Sequence, residues 1–176
     1  KKFSLKNLRS QVSLVSQDIF LFADSIYNNI SLFNKSISRI EVENAAKEIG
    51  IFDFIKKLPG GFDYNVKERG VMLSEGQRQL ISFLRAYVSN PKILILDEAT
   101  SSIDSKTEQL IQYATNKIIA DKTSIIIAHR LSTILNSDKI IYLENGEIKE
   151  VGTHQELINI NRGYYKKLFE YQFKES

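Results

Sequence analysis

Three short runs carry residue types that handle phosphate or a hard metal ion: Leu73-Ser74-Glu75-Gly76-Gln77, Ile93-Leu94-Ile95-Leu96-Asp97-Glu98 and Ile125-Ile126-Ile127-Ala128-His129. In the second, four apolar residues deliver two carboxylates to one spot. Magnesium takes hard oxygen ligands and keeps several waters, so Asp97 suits a metal-linked role. Glu98 then stands where a group that orients or deprotonates an attacking water is needed in phosphoryl transfer. The same pair also reads as a helix N-cap followed by a first-turn acid.

Ser74 and Gln77, three apart, form a capping box for a helix over residues 75–89. Free backbone N–H groups and the positive end of the helix dipole make such a terminus an anion site, and Gly76 allows a close approach by phosphate oxygens. Capping explains Ser74 and Gln77. It does not explain a first-turn glycine, which costs about 1 kcal/mol relative to alanine. His129 can hydrogen-bond a terminal phosphate oxygen, and the Gln17 amide can meet magnesium or water. Each also reads as an ordinary polar loop residue.

The elements that must position these groups follow from apolar patterning. Runs at 12–16, 92–96 and 123–128 are β-prone, and the last two are nearly continuous in apolar residues, the pattern of parallel strands covered on both faces. Between them, 105–119 reads as a helix with Ser105 as N-cap and Glu108 closing a capping box. Strand, helix, strand predicts a right-handed parallel crossover, which brings the strand ends to one edge. Ligands of open α/β sheets sit beyond those ends, where Gln17, Asp97, Glu98 and His129 would all fall.

Residues 18–90 read differently, with helical periodicity and no strong strand. Asp24 is a candidate cap for a short helix through Ile30, Ser38 and Glu41 make a capping box for a helix ended by Gly50, and Pro59-Gly60-Gly61 marks a turn. The chain then returns to β structure at 139–143 and 147–151 around Asn145-Gly146, a strong hairpin signal, and ends in helices near 153–159 and 163–173.

A chain of 176 residues with 43% apolar and 26% charged content is ordinary globular material, which sets aside disordered and fibrous classes. The net charge of +3 is mild and the basic residues are dispersed, so a nucleic-acid face is not expected. No cysteine is present, which removes disulfides and thiolate metal sites. No run is long enough to span a bilayer, so a membrane role must come through partners. None of the eight glycines precedes a lysine, so no Gly-x-x-x-x-Gly-Lys-[Ser/Thr] loop is present.

Taken in order, these motifs resemble those of an ATP-binding cassette (ABC) nucleotide-binding domain, over essentially the whole chain. Leu73 to Gln77 is similar to the family signature, with Glu75 where glycine is usual. Ile93 to Glu98 resembles the Walker B strand, Ser101-Ser102-Ile103-Asp104 the D-loop, His129 the switch histidine, and Val15-Ser16-Gln17-Asp18 the Q-loop. Ile19 to Ile30 and Glu68-Arg69-Gly70 resemble the exporter branch, in which these stretches meet the membrane domain. The apolar run Ile19 to Ala23 fits a partner surface, and equally fits burial in the chain's own core.

The resemblance implies an α/β fold with a P-loop NTPase-like (RecA-like) parallel sheet, incomplete at the N-terminus, with an inserted α-helical subdomain and a C-terminal hairpin plus helices. Residues 1–17 would be a core strand ending in the Q-loop, 18–90 the helical subdomain, and 91–176 the catalytic half with the C-terminal helices. It implies ATP and Mg2+ as ligands, Glu98, His129 and Gln17 in catalysis, Asp97 and Gln17 at the metal, and Ser74, Gly76, Gln77 and Asp104 on the nucleotide. It further implies a head-to-tail dimer with a second nucleotide-binding domain, a transmembrane domain as partner, and a place on the cytoplasmic face of the membrane. The P-loop and the adenine-stacking aromatic would precede Lys1, so the chain alone is expected to bind ATP weakly without turnover. A soluble ABC ATPase acting on DNA or ribosomes, and a non-hydrolysing interaction module, stay open as other readings.

Overall fold

The apolar runs fold as three parallel strands, β1 (Val12–Val15), β2 (Ile93–Asp97) and β3 (Thr123–Ile127), hydrogen-bonded in the order β1-β2-β3. The computed structural model describes residues 4–97, 103–128 and 134–174. Within it the chain falls into two compact units, Lys1–Ile127 and Ala128–Ser176. The helical stretch 18–90 packs with the three strands in the first unit.

Before β1 lies a helix that the sequence did not announce, α1 (Leu5–Gln11), started by Ser4, whose Oγ accepts from the Asn7 amide at 3.2 Å. It buries no residue, and Leu5 and Leu8 remain exposed. After β1 come α2 (Ile26–Ser31), α3 (Arg39–Glu48), α4 (Phe52–Lys56) and α5 (Glu75–Val88). The capping boxes expected at Ser38/Glu41 and Ser74/Gln77 both form, and α3 ends before Gly50 at φ +79°, the left-handed conformation that favours glycine.

Two caps shift by one residue. Ser25, not Asp24, is the N-cap of α2; Asp24 instead accepts from the Ser25 amide at 2.6 Å and the Asn28 side-chain amide at 2.8 Å. Asp104, not Ser105, caps α6 (Ser105–Ile119), its Oδ1 accepting from the amides of Lys106 at 3.2 Å and Thr107 at 3.0 Å. Aspartate is as good a cap as serine, so a Ser-Asp or Asp-Ser pair leaves the register of a helix start open.

Residues alternate across a strand, so the sheet has two faces. On one, Val15, Leu94 and Leu96 join a core with Leu80, Ile81 and Leu84 of α5 and Ile111, Ala114 and Ile118 of α6. On the other, Leu14 is 60%, Ile125 53% and Ile127 52% exposed. The expectation of cover on both faces is therefore corrected for the first unit: α5 and α6 pack on one side, and the apolar run records a second face that no described element of this unit covers.

The second unit is built on an antiparallel hairpin of β4 (Ile140–Glu144) and β5 (Glu147–Gly152). Its turn is Asn145-Gly146, with φ of +52° and +78°, the positive pair that a two-residue hairpin turn requires. Two helices follow, α7 (His154–Ile158) and α8 (Tyr164–Lys174). The Glu150 carboxylate ties β5 to α8 by accepting from the amides of Tyr164 and Tyr165 at 2.8 and 2.9 Å. Buried Tyr165 meets the His154 ring at 2.8 Å and packs with Ile140 and Leu157.

Candidate functional site

Register decides which groups share the rim. Val15 pairs with Leu96, and Asp97 with Ile127, so the chain leaves all three strands at one edge. Gln17, exposed, lies two residues beyond Val15 and one level beyond Asp97. Asp97, half-buried, is the last residue of β2 and shares the open sheet face with Ile93 and Ile95. Glu98, Ser101, Ser102 and His129 lie outside the described residues.

The signature run forms the start of α5. Ser74 Oγ accepts from the Gln77 amide at 3.3 Å, and Gln77 Oε1 accepts from the Ser74 amide at 3.0 Å. Ser74 and Glu75 are exposed, so the cap and first residue of the helix face solvent, and the amides of Glu75 and Gly76 have no intrahelical partner. Leu73, buried, anchors the turn before it, and the Arg78 guanidinium donates to the Leu73 carbonyl at 2.8 Å. Gly76 is buried, with Thr107 and Ile103 of the same chain against it.

The approach to the signature is a short 3-10 turn at Glu68–Gly70, with positive φ at Lys67, Arg69 and Gly70. Such angles cost about 1 to 3 kcal/mol at non-glycine residues and persist only where the surroundings enforce them. A Cβ on Gly70 would sit 2.7 Å from Leu21 Cδ1, so the turn packs against the segment that follows Gln17. In that segment Leu21 is fully buried while Phe20 and Phe22 are exposed. The two explanations of the run Ile19 to Ala23 thus divide between its residues. Phe20, Phe22 and Phe33 make edge contacts at 5.2 and 5.8 Å, an outward-facing aromatic cluster.

Sequence reasoning missed the polar pins beneath this cluster. Asn29 is wholly buried; its Oδ1 accepts from the Phe22 amide at 2.8 Å and its Nδ2 donates to the carbonyls of Phe22 and Ser25, each at 3.0 Å. Arg85 of α5 donates to the carbonyls of Asn29 at 2.8 Å and Phe20 at 3.3 Å. Burial holds the Arg85 guanidinium below its ordinary pKa. An arginine in the middle of an apolar helix stretch was the one available signal. Asp104, by contrast, is held below the usual carboxylate range by the Thr107 side chain and amide.

For magnesium, the described residues supply oxygen donors and no cluster of three or more His, Cys, Asp or Glu. A single carboxylate such as Asp97 suits an ion that keeps waters and takes phosphate oxygens, rather than one caged by protein.

A parallel α/β sheet with oxygen donors on its carboxyl rim, joined to a helical region that presents a capped helix start, defines a P-loop NTPase-like domain. The family model described as "ABC transporter" matches residues 1–101, and the chain belongs to that family. It is 48% identical over 172 residues to a Staphylococcus aureus (strain NCTC 8325 / PS 47) protein named for multidrug export as an ATP-binding/permease protein, covering 98% of this chain and 30% of that one. It is 47% identical over 174 residues to the ATP-dependent lipid A-core flippase of Methylobacillus flagellatus, with the same coverages. Among solved structures, a bacterial Atm1-family ABC exporter with ATP bound matches at 42% identity and a TM-score of 0.84, over 95% of this chain and 29% of that chain. The sequence is thus nucleotide-binding-domain sequence of the exporter type, and it spans about 30% of the length of the curated relatives it matches.

Proposed function

We propose that this chain is part of the ATP-hydrolysing domain of an ABC exporter, and that ATP hydrolysis by the whole protein drives a substrate across a membrane. The observation that carries this reading is the parallel register, in which the chain leaves β1, two residues before Gln17, and β2, at Asp97, by the same edge of the sheet. Asp97 and Gln17 would hold Mg2+, which when bound neutralises phosphate charge. Glu98 would orient and deprotonate the attacking water, and His129 would hydrogen-bond the terminal phosphate. Ser74, Gly76 and Gln77 would offer the α5 start to the ATP of a second nucleotide-binding domain, with Asp104 at the same interface.

Two further features support the assembly. The open sheet face, with Leu14, Ile125 and Ile127 half exposed, gives further polypeptide of the ATPase core a place to pack, and the relatives are about three times as long as this chain. The aromatic cluster of Phe20, Phe22 and Phe33 suits a transmembrane domain of the same transporter as partner. In this reading the membrane spans belong to that transmembrane domain and this domain lies on the cytoplasmic face; no described helix is itself long and apolar enough to cross a membrane.

The test is ATP turnover by the full-length transporter. Glu98→Gln is expected to retain ATP binding and lose about 100-fold or more in turnover, the usual contribution of a positioned base. Unchanged turnover would remove Glu98 from that role. The 176-residue chain alone is expected to show no turnover, and activity there that disappears with Glu98→Gln would refute the need for the missing loop.

A further inference from the structure

Gly76 sits in the first turn of α5, where glycine is unfavourable, and the structure supplies a reason within the chain. A Cβ at this position would lie 2.6 Å from Thr107 Cγ2 and 3.0 Å from Ile103 Cγ2. Ordinary carbon contacts need about 3.5 to 4.0 Å, so even alanine would force the two helix starts apart by about 1 Å. Thr107 cannot easily turn aside. Its side-chain hydroxyl hydrogen-bonds the Asp104 carboxylate, which also holds its amide at 3.0 Å, so turning χ1 would give up the hydroxyl bond.

We propose that Thr107, with Ile103, is a positioning residue for the ATPase reaction: its methyl group, seated on the bare Cα of Gly76, fixes the phosphate-facing start of α5 against the Asp104-led start of α6. The inference rests on the reading of the Ser74 end as a nucleotide-binding element. On this account glycine at 76 serves a contact between two parts of one chain as well as leaving room for a phosphate. The two uses are compatible in space, since the Gly76 amide belongs to the first turn and has no intrahelical partner to satisfy. The contact joins two elements far apart in sequence, one in the signature and one in the D-loop helix. Both helix starts are held by their own caps, Ser74 with Gln77 and Asp104 with Thr107, so a displacement of one would carry its whole first turn.

The experiment is a double-mutant cycle in the full-length transporter, comparing wild type, Gly76→Ala, Thr107→Ser and the double variant for kcat, KM for ATP and melting temperature. Thr107→Ser deletes Cγ2 and keeps the hydroxyl beside Asp104. Gly76→Ala is expected to lower turnover about 100-fold, the scale of a 1 Å misplacement at a reacting site, and the added Thr107→Ser to recover most of it. A folded double variant as inactive as Gly76→Ala would overturn the proposal and leave phosphate approach as the reason for the glycine. Gly76→Ala with a lowered melting temperature but normal turnover would overturn it too, as a packing role alone. If Gly76→Ala fails to fold, Thr107→Ser is expected to restore folding, and failure to do so counts against the contact. Absence of turnover in the wild-type transporter would instead refute the functional reading beneath it.

Discussion

From Ile26 to Val88 the helices close on one another, with Ile26, Ile49, Ile51, Ile55 and Ile81 at 0% exposure, whereas across the sheet Leu14, Ile125 and Ile127 stay 60%, 53% and 52% exposed. Full burial of such side chains is worth about 1.5 to 3 kcal/mol each, so the core shared by the helices and one sheet face carries the stability while the other sheet face contributes little. Parallel sheets are ordinarily covered on both faces. The difference teaches that one face of the sheet is completed by the helices packed on it while the other, among the described residues, is left open.

The sharpest way to break that comparison is a matched pair of truncations. Ile81→Ala is expected to cost about 2 to 5 kcal/mol, as buried isoleucines do, and Ile125→Ala less than about 0.5 kcal/mol in this chain. Equilibrium denaturation of the two variants checks this, and equal losses would erase the distinction. In the full-length transporter Ile125→Ala should become the costlier of its two measurements, since the face would then be covered.

A smaller effect is expected from the polar pins. Asn29→Ala leaves the Phe22 amide without its acceptor, while the Ser25 carbonyl keeps the Asn29 backbone amide, at about 1 to 3 kcal/mol. A loss no greater than that of Ile125→Ala would show that the pins are incidental. Smallest of all is the pH response. Hydrogen bonding to Arg39 lowers the pKa of Asp63, and the capping amides of Ser38 and Thr153 lower those of Glu41 and Glu156. Groups depressed in the fold stabilise it fully above the unfolded carboxylate range, near about pH 4, and lose that contribution as pH falls through the folded values. Asp63→Asn should flatten the acid side of a stability profile by at most about 1 kcal/mol, because the pair is largely exposed. No change in the profile would remove the pair as a contributor.

Much of this was legible beforehand because the deciding physics is local. Capping boxes at Ser38 and Ser74, the Asn145-Gly146 turn and the strand runs each depend on residues three or four apart. Helix α1 was missed because it buries nothing, so no face patterns its sequence. The open sheet face was misread because a continuous apolar run records what a strand is built to contact, not what is present. Gly76 was read as room for a ligand, since the two side chains that fill that room, Ile103 and Thr107, lie about 30 residues away. Arg85 was invisible for the same reason, its partners being the carbonyls of Asn29 and Phe20, 56 and 65 residues away.

The central claim is that the exposed start of α5 meets the phosphates of ATP. Ser74→Asp tests it most directly, because aspartate caps a helix as well as serine and suits its dipole, leaving folding intact, while its charge repels phosphate. In the full-length transporter the account predicts an unchanged or raised melting temperature with ATP turnover reduced about 100-fold, the scale of losing an electrostatic contact to the reacting group. Turnover equal to wild type would contradict it.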